Sequence, residues 1–215
     1  MDGRLECPEL GLRREASSPE AASFGLCSDE LHVGVGTRSW RMPPWFTTGA
    51  KPLPVGVVAA ALASVRHFGA GMGLILGGFC GALVIGIATG SLGLAALAIM
   101  GLVLLGSVLV HELGHVLAYR ILIGRRAPAV LVVRGASCRL VRLSGARASD
   151  AVVIAAGSLA PVLAALPLWF LFAHAPALVI LATLVALGHV VGLLIPVGDG
   201  AALRELARHD AANAA

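Results

Sequence analysis

Charge is what this chain has least of. Asp, Glu, Lys and Arg make up 13% of its 215 residues, against roughly a quarter in soluble domains. With 58% hydrophobic residues and a mean hydropathy of +0.89, that scarcity excludes an ordinary soluble globular protein. Residues 68–110 contain no charged side chain at all. The four cysteines, Cys7, Cys27, Cys80 and Cys138, form no C-x-x-C pair, so neither a disulfide framework nor a cysteine zinc site is expected. Lysine is nearly missing: a single Lys51 accompanies fifteen arginines. Arginine loops beside apolar runs, at a net charge of +4, read as topology signals and lipid head-group contacts, with no nucleic-acid footprint. The first fifty residues have no early apolar core, so no secretory signal is expected there.

What the chain has in quantity is apolar runs long enough to cross a bilayer, about 20 residues each. Residues 1–50 are polar and aperiodic and read as a disordered tail. Its end, from Arg38 to Phe46, mixes aromatic and basic side chains suited to the membrane interface or to a protein partner. Residues 51–67 read as a short apolar or re-entrant segment, because Pro54–Val65 lies between Lys51 and Arg66-His67. Residues 68–200 hold the membrane core, with spans expected near 70–88, 93–119, 151–173 and 176–197. Thr89-Gly90-Ser91 marks the first turn. Residues 201–215 read as a polar cytoplasmic tail, within which the stretch from Gly200 to Arg208 is expected to form a short amphipathic helix.

The polar centre, 120–149, carries seven arginines, with one acid, Asp150, at its border. By the positive-inside rule it faces the cytoplasm. Within it, Val130–Val133 and Cys138–Leu143 flank Arg134-Gly135-Ala136-Ser137, which predicts either a short hairpin or an ordinary basic loop. The expected fold is therefore an all-α, multi-pass protein of the inner cell membrane. It has four transmembrane helices, five if 54–65 also crosses, and a short cytoplasmic β-hairpin.

At the end of the second expected span stands His111-Glu112-Leu113-Gly114-His115. Ionisable groups at membrane depth are costly and mark function. On a helix, histidines four apart share a face and can grip one zinc ion, while Glu112 is placed to act on its water. His115 precedes Arg120 by one and a half turns, which sets the site about 8–13 Å inside the cytoplasmic edge.

Catalytic zinc takes three protein ligands and leaves one position open. His189 is mid-span, His174 belongs to the far side and Glu205 to the tail. Asp199 fits best, because Pro196 interrupts the last helix and leaves Val197-Gly198-Asp199-Gly200 irregular at the depth of His115. The rival role for Asp199 is to cap the helix that follows.

Together these residues resemble the site-2 protease family of intramembrane zinc metalloproteases. The match is carried by His111-Glu112-Leu113-Gly114-His115 in a span, by Asp199-Gly200 after a proline in the last span, and more weakly by Ala156-Gly157-Ser158-Leu159-Ala160-Pro161. It covers about 70–205, a minimal core without an inserted PDZ or CBS domain. The sequence departs from the family where Leu193 replaces an asparagine before Pro196; Asn213 is the only asparagine in the chain. The resemblance implies Zn2+ on His111, His115 and Asp199, Glu112 as general base, and a membrane-protein substrate in the bilayer, such as a single-span anti-sigma factor. Two other classes use the same residues: a metal-binding transporter and a catalytically degenerate scaffold.

Overall fold

In this computed structural model the structure describes residues 53–213 apart from 128, 135–136 and 143–145, together with short strand segments ahead of them. Strands β1 (Glu6–Cys7) and β2 (Leu12–Arg13) pair antiparallel, as do β3 (Ser23–Cys27) and β4 (Glu30–Gly34). Most of the expected disordered tail, including the aromatic and basic stretch from Arg38 to Phe46, lies outside the described residues. Strand β5 (Gly49–Pro52) then leads into the helices.

Helix α1 runs unbroken over Val57–Thr89, where a separate segment over 51–67 and a span from 70 were expected. Arg66 and His67 do not interrupt it. At about 1.5 Å per residue α1 measures about 50 Å, well beyond a hydrocarbon core of about 30 Å. Its first turns therefore have room to stand outside the apolar layer, where one cation is tolerated. Apolar side chains cannot satisfy backbone polar groups, so a long apolar run in lipid closes its own hydrogen bonds as helix. The stop comes at Gly90, whose left-handed φ of 69° lets its N–H bond back to Ile87 O at 3.3 Å. Helix α2 (Leu92–Leu122) starts two residues later and returns alongside α1.

After α2 come β6 (Ala129–Arg134) and β7 (Ser137–Arg142), antiparallel from Ala129↔Arg142 to Arg134↔Ser137. Strand β5 pairs with the other edge of β6, from Gly49↔Val133 to Pro52↔Val130, so β6 is the middle of three strands. Proline has no N–H for a ladder, and Pro52 sits at the end of an outer strand. Helix α3 (Arg147–Ala165) follows. Pro167 has no N–H for the carbonyl of Leu163, and the helix tightens into a 3-10 segment over Leu166–Leu171. Helix α4 (Pro176–Gly192) begins on a proline, where the missing N–H costs nothing. A turn over 193–198 leads to α5 (Asp199–Asn213), longer than the expected 200–208.

Among the described residues, three helical stretches are long and apolar enough to cross a membrane: α1, α2, and α3 with its 3-10 extension. Helix α4 is apolar but shorter, at 17 residues. The outer face carries bare Val58, Leu74, Ile87, Phe170 and Leu184, a surface that fits a lipid bilayer and not water.

The buried core lies at one end of the bundle. It joins Phe68 and Met72 of α1, Val116 and Tyr119 of α2, Val153 of α3, and Leu53, Ala129 and Leu131 from the sheet region. Arg120 locks this end. The residue is 1% exposed, and its guanidinium donates to Leu53 O and Pro54 O at 2.9 Å each and to Ala127 O. One side chain thus ties the end of α2 to the approaches of α1 and β6. The Tyr119 ring lies 5.7 Å from the Arg120 guanidinium and 5.8 Å from that of Arg142. Arg142 in turn pairs with Asp150 of α3. Arg120→Ala leaves buried carbonyls without donors, at about 1–3 kcal/mol for an unsatisfied group. Thermal unfolding in detergent should show a clearly lowered midpoint; an unchanged one would mean that the clamp contributes nothing.

Candidate metal centre

Because α2 is regular through residues 111–115, the two histidines of H-E-L-G-H lie one turn apart on one face. Their rings meet edge to face, with centroids 4.7 Å apart. The Nε2 atoms are 3.2 Å apart. Asp199, brought in by the turn after α4, places Oδ2 3.3 Å from each Nε2. Three donor atoms therefore form a triangle with sides of 3.2, 3.3 and 3.3 Å. Ligands about 2.0–2.1 Å from a tetrahedral ion stand about 3.3–3.4 Å from one another. The triangle has the size of one face of such a tetrahedron. Direct charge-assisted N–H···O⁻ bonds would be shorter, about 2.7–2.9 Å.

Proton positions follow from the partners. His115 Nδ1 lies 2.8 Å from Val153 O. A carbonyl only accepts, so Nδ1 carries the hydrogen and Nε2 of the neutral ring presents its lone pair to the triangle. A backbone acceptor on the far nitrogen is the usual orienting partner of a metal-binding histidine. Ser158 Oγ, buried on α3, donates to Asp199 Oδ2 at 3.3 Å. Glu112 is buried, and its Oε2 has no hydrogen-bond partner among the described residues. An orphaned carboxylate oxygen next to converging lone pairs is expensive unless a further group completes the site. The His111–His115–Asp199 group can hold a metal ion. Its two nitrogens and one oxygen suit a borderline cation.

Small residues make the closeness possible. A Cβ on Gly114 would strike the carbonyl of Ala156 and the methyl of Ala160, so α2 and α3 touch backbone to side chain there. A Cβ on Gly157 would strike the His115 imidazole. The ring occupies the space that the missing side chain leaves.

The structure thus brings together His111, His115 and Asp199, with Glu112 adjacent in the chain. The alternatives for Asp199 do not compete, since it opens α5 and meets both imidazoles. His174, in the turn before α4, is outside the group, and the Glu205 side chain lies outside the described residues. His189 stacks on His111, with centroids 4.8 Å apart and planes 29° apart. The sequence reading missed the donation of Ser158 to Asp199 and the acceptance by Val153 O. Contacts 41 and 38 residues apart leave no local pattern. The pairing Gly157-Ser158 was the one available signal, a small residue and a hydroxyl within an otherwise apolar helix.

Comparison of the chain with protein families, with curated proteins and with solved structures found no match.

Gly157→Ala should push the His115 ring out of the triangle, since overpacking displaces whichever neighbour is free to move. Metal per protein, measured by mass spectrometry on metal-loaded and desalted samples, should fall well below that of the unaltered chain. Equal stoichiometry would show that the clearance at Gly157 is not needed.

Proposed function

We propose that this protein is an intramembrane zinc metalloprotease that hydrolyses peptide bonds in or near transmembrane segments of membrane-bound regulators. The observation that carries the reading is the triangle of His111 Nε2, His115 Nε2 and Asp199 Oδ2 beside Glu112, sized for a tetrahedral ion and set between apolar helices. Two histidines and a carboxylate are a ligand set of zinc hydrolases, with the fourth position left for water or substrate. Zinc bound there supplies a Lewis acid and brings the pKa of water toward neutrality.

Everything else is done by the chain. Glu112 Oε2, unpartnered and in the residue after His111, takes the proton of the attacking water and delivers it to the leaving amine nitrogen. Val153 O and Ser158 Oγ hold His115 and Asp199 in place. A substrate helix must unwind first, because each of its carbonyls is taken by an i→i+4 bond. Strand β7 is an outer strand of its sheet among the described residues, and its outer edge offers an unwound segment main-chain partners by β-augmentation.

In this reading α4, with the turn after it, is the fourth span. The arginine-rich connection between α2 and α3 faces the cytoplasm, and with four spans both chain termini lie on that side of the inner membrane. The metal site then sits near the cytoplasmic surface, within reach of water. A metal permease would need ligands at several depths. The described donors gather at one, which favours hydrolysis.

Purified protein incubated with a model single-span substrate should cleave it, and a chelator should stop cleavage until zinc is restored. Glu112→Gln should reduce turnover by at least about a hundredfold, as loss of a general base does, while zinc content stays level. A Gln variant that still cuts would remove Glu112 from the chemistry. Asp199→Ala should lose most of the bound zinc, because two imidazoles alone make a weak site; retention of zinc would leave Asp199 as a helix-starting residue only.

A further inference from the structure

His111 and His115 are held by different means. His115 has the Val153 carbonyl on its outer nitrogen. The outer nitrogen of His111, Nδ1, is buried and has no hydrogen-bond partner among the described residues. A ring with only one nitrogen engaged is free to swing about χ2, and a swing moves Nε2 out of the triangle. What lies against His111 is the face of His189 from α4, with centroids 4.8 Å apart and planes 29° apart.

His189 is itself fixed. The Ser107 hydroxyl donates its one hydrogen to Leu104 O at 2.8 Å. Toward His189 Nε2, 3.1 Å away, Ser107 Oγ is therefore the acceptor, and Nε2 carries the hydrogen. The chain Leu104 O, Ser107 Oγ, His189 Nε2 sets the plane of one imidazole, and that imidazole sets the plane of the next. The N–H of His189 is occupied, so this side chain has no donor left for a substrate carbonyl.

We infer that His189, anchored by Ser107, is a positioning residue that holds the metal-binding imidazole of His111 by ring stacking in place of the missing hydrogen bond. This rests on the reading of His111, His115 and Asp199 as a metal centre. Outer partners of metal ligands contribute about ten- to a hundredfold in metal affinity. A stacked ring belongs at the lower end of that range.

The test is competition titration of zinc against a chromophoric chelator, with cobalt substitution as a spectroscopic readout of ligand geometry. The full chain in detergent, H189A, H189F and S107A are compared. H189A should bind zinc about tenfold more weakly and shift the visible cobalt bands. H189F, which keeps a ring face and loses the hydrogen bond, should stay within about threefold of the unaltered chain with its cobalt spectrum preserved. S107A should fall between the two. If H189A and the unaltered chain share one affinity and one cobalt spectrum, the positioning role is overturned while the metal centre stands. If H189F is as weak as H189A, stacking is not the cause. Should H189A lose its helical circular dichroism, H189L, which keeps apolar bulk without a ring face, takes its place under the same criteria. An unaltered chain that binds neither ion removes the metal centre, and this inference falls with it.

Discussion

Three lone-pair donors, two of them imidazole and one a carboxylate, stand within 3.3 Å of one another between apolar helices. Everything around this cluster is arranged to tolerate it. Such groups repel when a proton or cation is not shared among them, and low-dielectric surroundings enlarge the repulsion. The neighbouring elements fix the donors so that they cannot relax apart. Gly114 and Gly157 bring α2 and α3 close enough for Val153 O to reach His115. Ser158 holds the carboxylate from the same helix. Preorganisation of this kind is what lets a site bind an ion in one geometry and polarise what the ion carries.

The same last turns of α2 also carry the structural lock. Tyr119 and Arg120 follow His115 by about one turn and tie the helix to the sheet and to the start of α1. A helix held there cannot rotate, so the facing of His111 and His115 toward α3 and α5 is fixed from outside the site. The sheet is anchored to the same place through Arg142, Tyr119 and Asp150. In the proposed proteolytic reading, the outer strand β7 is thereby kept at a constant distance from the metal centre, as a segment that presents substrate to that centre must be.

Much of this was legible beforehand, for identifiable reasons. The turn at Gly90 was readable because only a glycine adopts a left-handed φ cheaply between two apolar runs. The pairing of His111 with His115 follows from helical period alone. The short β6–β7 region showed β-branched residues in two runs around a glycine. The first helix was misjudged. Arg66 and His67 suggested a boundary, yet α1 passes through both, because a helix may outrun the hydrocarbon layer. Strand β5 was not foreseen, since four residues ending in proline carry no periodic signal. Its partner β6 is far along the chain.

The one-dimensional pattern determined what could be encoded locally: apolar length, helical spacing of the two histidines, the turn residues, and the rarity of charge that makes Glu112 and Asp199 conspicuous. Only the packed structure decided which carbonyl fixes His115, which hydroxyl meets Asp199, and that His111 leans on His189. Those choices depend on how closely α2, α3, α4 and α5 approach. That approach is set by side chains missing from Gly114 and Gly157 and by the turn that carries Asp199 back across the bundle. Distance in space between residues far apart in the chain is a property of packing, and no local rule of sequence contains it.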